Sequence, residues 1–193
     1  SCLNTLGNYG CANGISTVRN VYDQRGNLTE RSLYLWSEGQ EKPANCLEGW
    51  SIERMAYDRQ NLLTSDAYFD SADQPCVDES GIHQYQYHYN ERGMLAEILY
   101  MDVDGQPMRE ESVYATEYDD QGQLIAERWF SGGDELIRKT AYAYDPRGRT
   151  VDISYWSGEL TPAVQNGTHR VRYSYNDFGD TEVTAYFGTD DRP

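Results

Sequence analysis

The chain has 193 residues, with 16 Lys and Arg against 32 Asp and Glu, a net charge of −16 and 38% hydrophobic residues. Such a surplus of carboxylates repels phosphate backbones and anionic membranes, which excludes nucleic acid as a partner, and no apolar run approaches the ~18 residues of a membrane span. Seventeen Tyr, 4 Trp and 4 Phe exclude an ordinary disordered chain and point to a fold packed with rings rather than with Leu and Ile.

The N-terminal stretch SCLNTLGNYGC does not read as a signal peptide, and the chain is expected to be a processed or excised piece of something longer. Residues 1–20 fit no repeat. They read as an N-terminal cap over an exposed sheet edge. Four cysteines, Cys2, Cys11, Cys46 and Cys76, form no CxxC pair. An even count is compatible with two disulfides in an oxidising compartment, with Cys2 near Cys11 and Cys46–Cys76 linking neighbouring loops; four free thiols are the alternative.

From residue 21 the chain repeats. The anchors are VYDQRGNL (21–28), AYDRQNLL (56–63), HYNERGML (88–95), EYDDQGQL (117–124), AYDPRGRT (143–150) and SYNDFGDT (174–181). The anchor tyrosines Tyr22, Tyr57, Tyr89, Tyr118, Tyr144 and Tyr175 are spaced 35, 32, 29, 26 and 31 residues apart. Each precedes Asp or Asn and is followed four positions later by Gly, or once by Asn61. Gly and Asn enter the left-handed region most cheaply, so the exception obeys the same steric rule. Tyr-Asp-x-x-Gly therefore predicts a hairpin turn with a left-handed bulge residue, and Pro146 takes the favoured second turn position.

Before the turn, HQYQYHY (83–89) and HRVRYSY (169–175) alternate with period two, the pattern of half-buried strands. After it, each unit reaches a second landmark eleven or twelve residues beyond the anchor: LY (33–34), YF (68–69), YM (100–101), WF (129–130), YW (155–156) and YF (186–187). Links such as DSADQP (70–75), DVDGQP (102–107) and GTDDRP (188–193) follow, ending in a Pro that cannot continue a ladder. The expected fold is all-β: residues 21–193 form six tandem antiparallel β-hairpins in one continuous, curved, open sheet.

These anchors and links resemble the tyrosine-aspartate (YD) repeats of the Rhs family of bacterial surface, secreted and toxin-associated proteins. YDQRGNL at 22–28 matches best, with YDPRGRT and YNERGML close behind. The resemblance implies antiparallel hairpins coiling into a continuous sheet, which in large members becomes a hollow shell. Six units are too few to close one, and longer, Cys-bearing links depart from the simplest pattern. The resemblance implies no catalytic residues.

The residues themselves carry no enzyme motif. No Ser sits in Gly-x-Ser-x-Gly, and no carboxylate pair stands out. His83 and His169 occupy equivalent positions two residues after Gly81 and Gly167, which argues for a structural role. His83 and His88 have opposite parity in a strand and cannot share a zinc ion. No metal site or cofactor is expected. Asp102 and Asp104 admit at most weak calcium binding, because the EF-hand spacing is absent and turn residues explain them. The ring ladder offers a binding surface, with Trp129, Tyr155, Trp156 and Tyr186 as candidates. Adjacent rings point to opposite strand faces, so only one of each pair can serve a given face. The expected function is a non-catalytic extracellular, periplasmic or surface repeat module that binds a protein. A carbohydrate-binding module and a scaffold fragment of a toxin or adhesin shell are the alternatives.

Overall fold

The computed structural model of the protein describes residues 14–158 and 161–192. It is all-β, and its strands follow the sequence repeat. The first hairpin is β1 (Ile15–Tyr22) and β2 (Leu28–Ser37), with β3 (Gln40–Pro43) folding back on β2. The second is β4 (Ile52–Tyr57) and β5 (Leu63–Phe69); the third is β6 (Gln84–Tyr89) and β7 (Leu95–Met101). The fourth is β8 (Val113–Tyr118) and β9 (Leu124–Phe130); the fifth is β10 (Leu136–Tyr144) and β11 (Thr150–Ser157), with β12 (Thr161–Pro162) paired to β11. The sixth is β13 (Arg170–Tyr175) and β14 (Thr181–Phe187). Strand pairing runs β1-β2-β4-β5-β6-β7-β8-β9-β10-β11-β13-β14 in a single open sheet.

Every anchor Tyr is the last residue of the first strand of its hairpin. The following Asp or Asn closes the turn through its side chain. Asp145 Oδ1 accepts the N–H groups of Arg147 at 2.9 Å and Arg149 at 3.0 Å. Asp23, Asp58, Asn90, Asp119 and Asn176 do the same for their own turns. A carboxylate or amide oxygen that satisfies two turn donors explains why Tyr must be followed by Asp or Asn. The fifth position takes positive φ in all six turns, with Asn61 at 67° standing among glycines. The register slips at Val21/Tyr22, Ala56/Tyr57, Glu117/Tyr118, Ala143/Tyr144 and Ser174/Tyr175, so the anchor carries a bulge.

The links reuse this turn. Asp102 Oδ1 accepts the N–H groups of Asp104 and Gln106, and Asp70 Oδ1 those of Ala72 and Gln74. Within the span expected to be a cap, Ile15 to Asn20 lie in β1 and pair with β2. Their run, ISTVRN, shows little of the period-two alternation that marks the later strands. Cys2 and Cys11, and with them the proposed bridge, lie outside the described residues.

The chain divides into two compact units, one comprising Ser1–Met94 and Ile98–Met108, the other Leu95–Glu97 and Arg109–Pro193. The first has a core of Ile15, Leu33, Ala44, Cys46 and Trp50, flanked by Val18, Leu35, Tyr68 and Cys76. Leu33 is wholly enclosed. The second buries small or polar residues instead, among them Ala126, Thr140, Ser154, Val171 and His169. In both units rings complete the packing that a thin aliphatic core leaves open.

Candidate tyrosine–carboxylate surface

In each unit strand alternation collects tyrosine and carboxylate side chains on one face. In the second unit, Thr116 and Thr140 flank Glu127 in register, from β8 and β10 respectively. Two tyrosines converge on this carboxylate. Tyr114 O–H donates to Oε1 at 2.6 Å, and Tyr142 O–H donates to Oε2. Both phenols are held well above their ordinary range, first by burial and then by the anion they bond. Three adjacent strands are thus cross-linked by one side chain. Trp129 lies beside it, 5.1 Å from the Tyr114 ring, with the Arg138 guanidinium 3.7 Å over its indole.

The first unit repeats the arrangement less completely. Asp66 stands nine residues after Tyr57, as Glu127 stands nine after Tyr118. It is met by Tyr87, two residues before its own anchor, as Tyr142 is two before Tyr144. The Tyr87 O–H donates to Asp66 Oδ2 at 3.3 Å, while Oδ1 is buried without a partner. Burial raises the Asp66 carboxyl to about 6; Glu53 and Asp78 push the same way against the Tyr87 bond. The surrounding rings are occupied with one another. Tyr85 stacks on Tyr87 at 6.5 Å and meets Tyr68 and Tyr100 edge-on, while its O–H donates to Asp78 at 2.6 Å.

A second repeated device ties one hairpin to the next. The anchor O–H donates to the carbonyl six residues past the preceding anchor: Tyr89 to Leu63 at 2.9 Å, Tyr144 to Leu124 at 2.7 Å and Tyr175 to Thr150 at 2.6 Å. Two of the seams between turns open into equivalent grooves of about 480 and 460 Å³. Tyr89 and Gln60 line one; Tyr144 and Gln121 line the other.

No family model matches the sequence, and neither does any curated protein. Among solved structures, the chain is similar to TcdB2-TccC3-TEV, at TM-score 0.42 and 12% identity over 87% of this chain and 9% of that chain. It is similar to the Tc holotoxin pore of Photorhabdus luminescens at TM-score 0.35 and 16% identity, over 81% and 8% of the two chains. A protein of unknown function from Bacteroides fragilis gives TM-score 0.23 and 14% identity over 79% and 97%. The chain spans less than a tenth of the length of the toxin-complex chains.

By register three of the four candidate binding rings, Trp129, Tyr155 and Tyr186, fall on one face of the sheet. Trp129 and Tyr155 lie on β9 and β11, with β10 between them. Trp156 is on the opposite face from Tyr155, its indole N–H on Ser154 Oγ at 3.0 Å and its ring edge-on to His169 at 5.1 Å. Tyr186 is open to solvent, at 60% exposure. His83 and His169, at equivalent repeat positions, make the same contact: each Nδ1 lies 2.8 Å from a backbone carbonyl, of Cys76 and Tyr155 respectively. Cys46 and Cys76 are free thiols. Among the described residues no group of three His, Cys, Asp or Glu converges as a metal site, and no helix is long and apolar enough to cross a membrane.

Sequence reasoning missed Asp66, Glu127, Tyr114 and Tyr142. The available signal was a carboxylate at anchor +9 followed by a Tyr at −2 of the next anchor, a pairing visible only once the register between hairpins is known.

Proposed function

We propose that the chain is a non-catalytic repeat module of a secreted, periplasmic or surface protein, and that it holds a basic protein partner through its carboxylate-rich surface. The observation that carries this reading is the distribution of charge. Many of the arginines are consumed internally: Arg31 pairs with Glu53, Arg54 with Glu30 and Asp73, Arg128 with Glu117, Arg138 with Glu111, and Arg170 and Arg172 with Asp152. The surplus behind the net charge of −16 therefore falls on exposed carboxylates such as Glu79, Glu91, Asp104, Glu110, Asp120 and Glu182. A dense one-sign field raises association rates with oppositely charged surfaces and discourages wrong partners. The likeness of the anchors to YD repeats supports the extracytoplasmic setting.

The test is binding of the immobilised chain to a panel of basic and acidic proteins at low and physiological salt. A basic partner retained at physiological salt, where the Debye length is about 8 Å, supports the reading. Weak capture of all basic proteins alike, lost together as salt rises, overturns it.

A further inference from the structure

Two links, 44–51 and 70–77, meet beside the core of the first unit. Ser71 N–H donates to Asn45 Oδ1 at 2.8 Å, and a Cβ built on Gly49 would lie 3.9 Å from the Val77 carbonyl. The backbone sets a cysteine in each link against one member of a ring pair. Cys46 N–H donates to the Trp50 carbonyl at 2.7 Å, and Cys76 N–H donates to the Tyr68 carbonyl at 3.0 Å. The Trp50 and Tyr68 rings are themselves 5.6 Å apart. Both cysteines belong to the same packed cluster, Cys46 within it and Cys76 against its flank. Both are thiols in this structure.

We propose that Cys46 and Cys76 are the two halves of a structural disulfide that closes as the chain folds in the presence of a small-molecule disulfide oxidant such as glutathione disulfide. The less buried Cys76 releases its proton, and its thiolate attacks one oxidant sulfur, breaking that S–S bond and expelling one thiolate. Cys46, as thiolate, then attacks Cys76 Sγ, forming the internal bond and expelling the second. The two protons released by the cysteines end on the two expelled thiols, and the oxidant is reduced by two electrons. The bridge closes a loop of about 30 residues and fastens the first link to the second, where the aliphatic core is thin.

Burial raises both thiols, Cys76 to about 11 with Asp70 adding to the effect. Thiolate attack is accordingly slow in the native chain. Closure belongs to folding, and the finished bond is shielded from exchange.

The experiment uses the full chain carrying Cys2→Ser and Cys11→Ser, reduced and unfolded in urea, then refolded in a glutathione redox buffer. The expected product is lighter by two hydrogen atoms, and its tryptic peptides bearing Cys46 and Cys76 are joined. Its Tm lies roughly 5–10 °C above that of the same chain refolded in reductant. A further Cys76→Ser substitution, at a half-buried position, leaves Tm identical in the two buffers. A refolded chain with both thiols free, or with a separate glutathione on each, overturns the proposal. So does a bridged chain that melts no higher than the reduced one. Each outcome is independent of whether a basic partner is ever found.

Discussion

The phenol of Tyr144 donates to the carbonyl oxygen of Leu124 across 2.7 Å, joining the end of one hairpin to the return strand of the hairpin before it. The pairing between hairpins is short elsewhere: β5 meets β6 at Ser65–Ala67, and β11 meets β13 at Asp152–Ser154. The strands separate toward the turns, and the anchor O–H spans the gap. Tyr144→Phe keeps the ring and removes only this bond. A loss of about 1 kcal/mol is expected by urea unfolding. Amide exchange should rise around Leu124 and Arg149 and remain unchanged in the first unit. Uniform exchange throughout would show that the hydroxyl does not hold the seam.

The fifth turn position separates conformational strain from crowding. Gly148 has φ +79°, and a Cβ there would lie 3.3 Å from Gln123 Oε1. Gly26 has φ +88° with nothing within 4 Å. Gly26→Ala is expected to cost about 1 kcal/mol from the left-handed conformation alone, and Gly148→Ala more, because Gln123 must also move. Asn61→Gly, at φ 67°, relieves the backbone but loses the bond that Asn61 Oδ1 accepts from Asn27 Nδ2 at 3.0 Å, so a change within about 0.5 kcal/mol is expected. Equal losses for the two alanine variants would remove the role assigned to Gln123.

The turns were legible in the sequence because their constraint is local: Tyr-Asp-x-x-Gly carries its own hydrogen-bond acceptor and its own left-handed residue. The return strands were legible because at least one ring recurs eleven or twelve residues beyond the anchor of that turn. The Tyr114–Glu127–Tyr142 link was not, since it depends on register across three strands. Trp129 was singled out from its ring alone, and its partner Arg138 lies on the next hairpin. The cysteines were read as linking loops from spacing; that both loops meet at Trp50 and Tyr68 is a property of the folded links.

Asp66 predicts a pH dependence of unusual sign. Its carboxyl ionises near 3.8 when unfolded and at about 6 when folded. Between these values the native chain holds a proton that the unfolded chain has released, so this group's contribution is greatest below the unfolded value and falls as pH rises to about 6. Asp23, Asp119 and Asp145 act oppositely, their carboxyls lowered chiefly by turn N–H groups, and lose their contribution as pH falls. The difference between wild type and Asp66→Asn isolates the one group. The full shift corresponds to ~3 kcal/mol, and partial solvent access reduces this to about 1 kcal/mol. Asp66→Asn should therefore be the more stable chain at neutral pH by about 1 kcal/mol, with the gap closing toward pH 4. A gap that widens on acidification would reverse the assignment.

Glu127 accepts a hydrogen bond from both Tyr114 and Tyr142. Glu127→Ala leaves two half-buried hydroxyls without their acceptor and should cost about 2–3 kcal/mol, more than the loss of a single bond. Tyr142→Phe removes one donor and leaves Glu127 its bond to Tyr114, so about 1 kcal/mol is expected. The double variant Tyr114→Phe/Tyr142→Phe strands a carboxylate among apolar rings and should exceed the sum of the single changes, because the second loss removes the last donor. Gln in place of Glu127 restores an acceptor for one phenol and should recover part of the loss. Additive phenylalanine variants, measured by urea unfolding, would mean that solvent already satisfies Glu127 and that the three strands are held by their ladder alone.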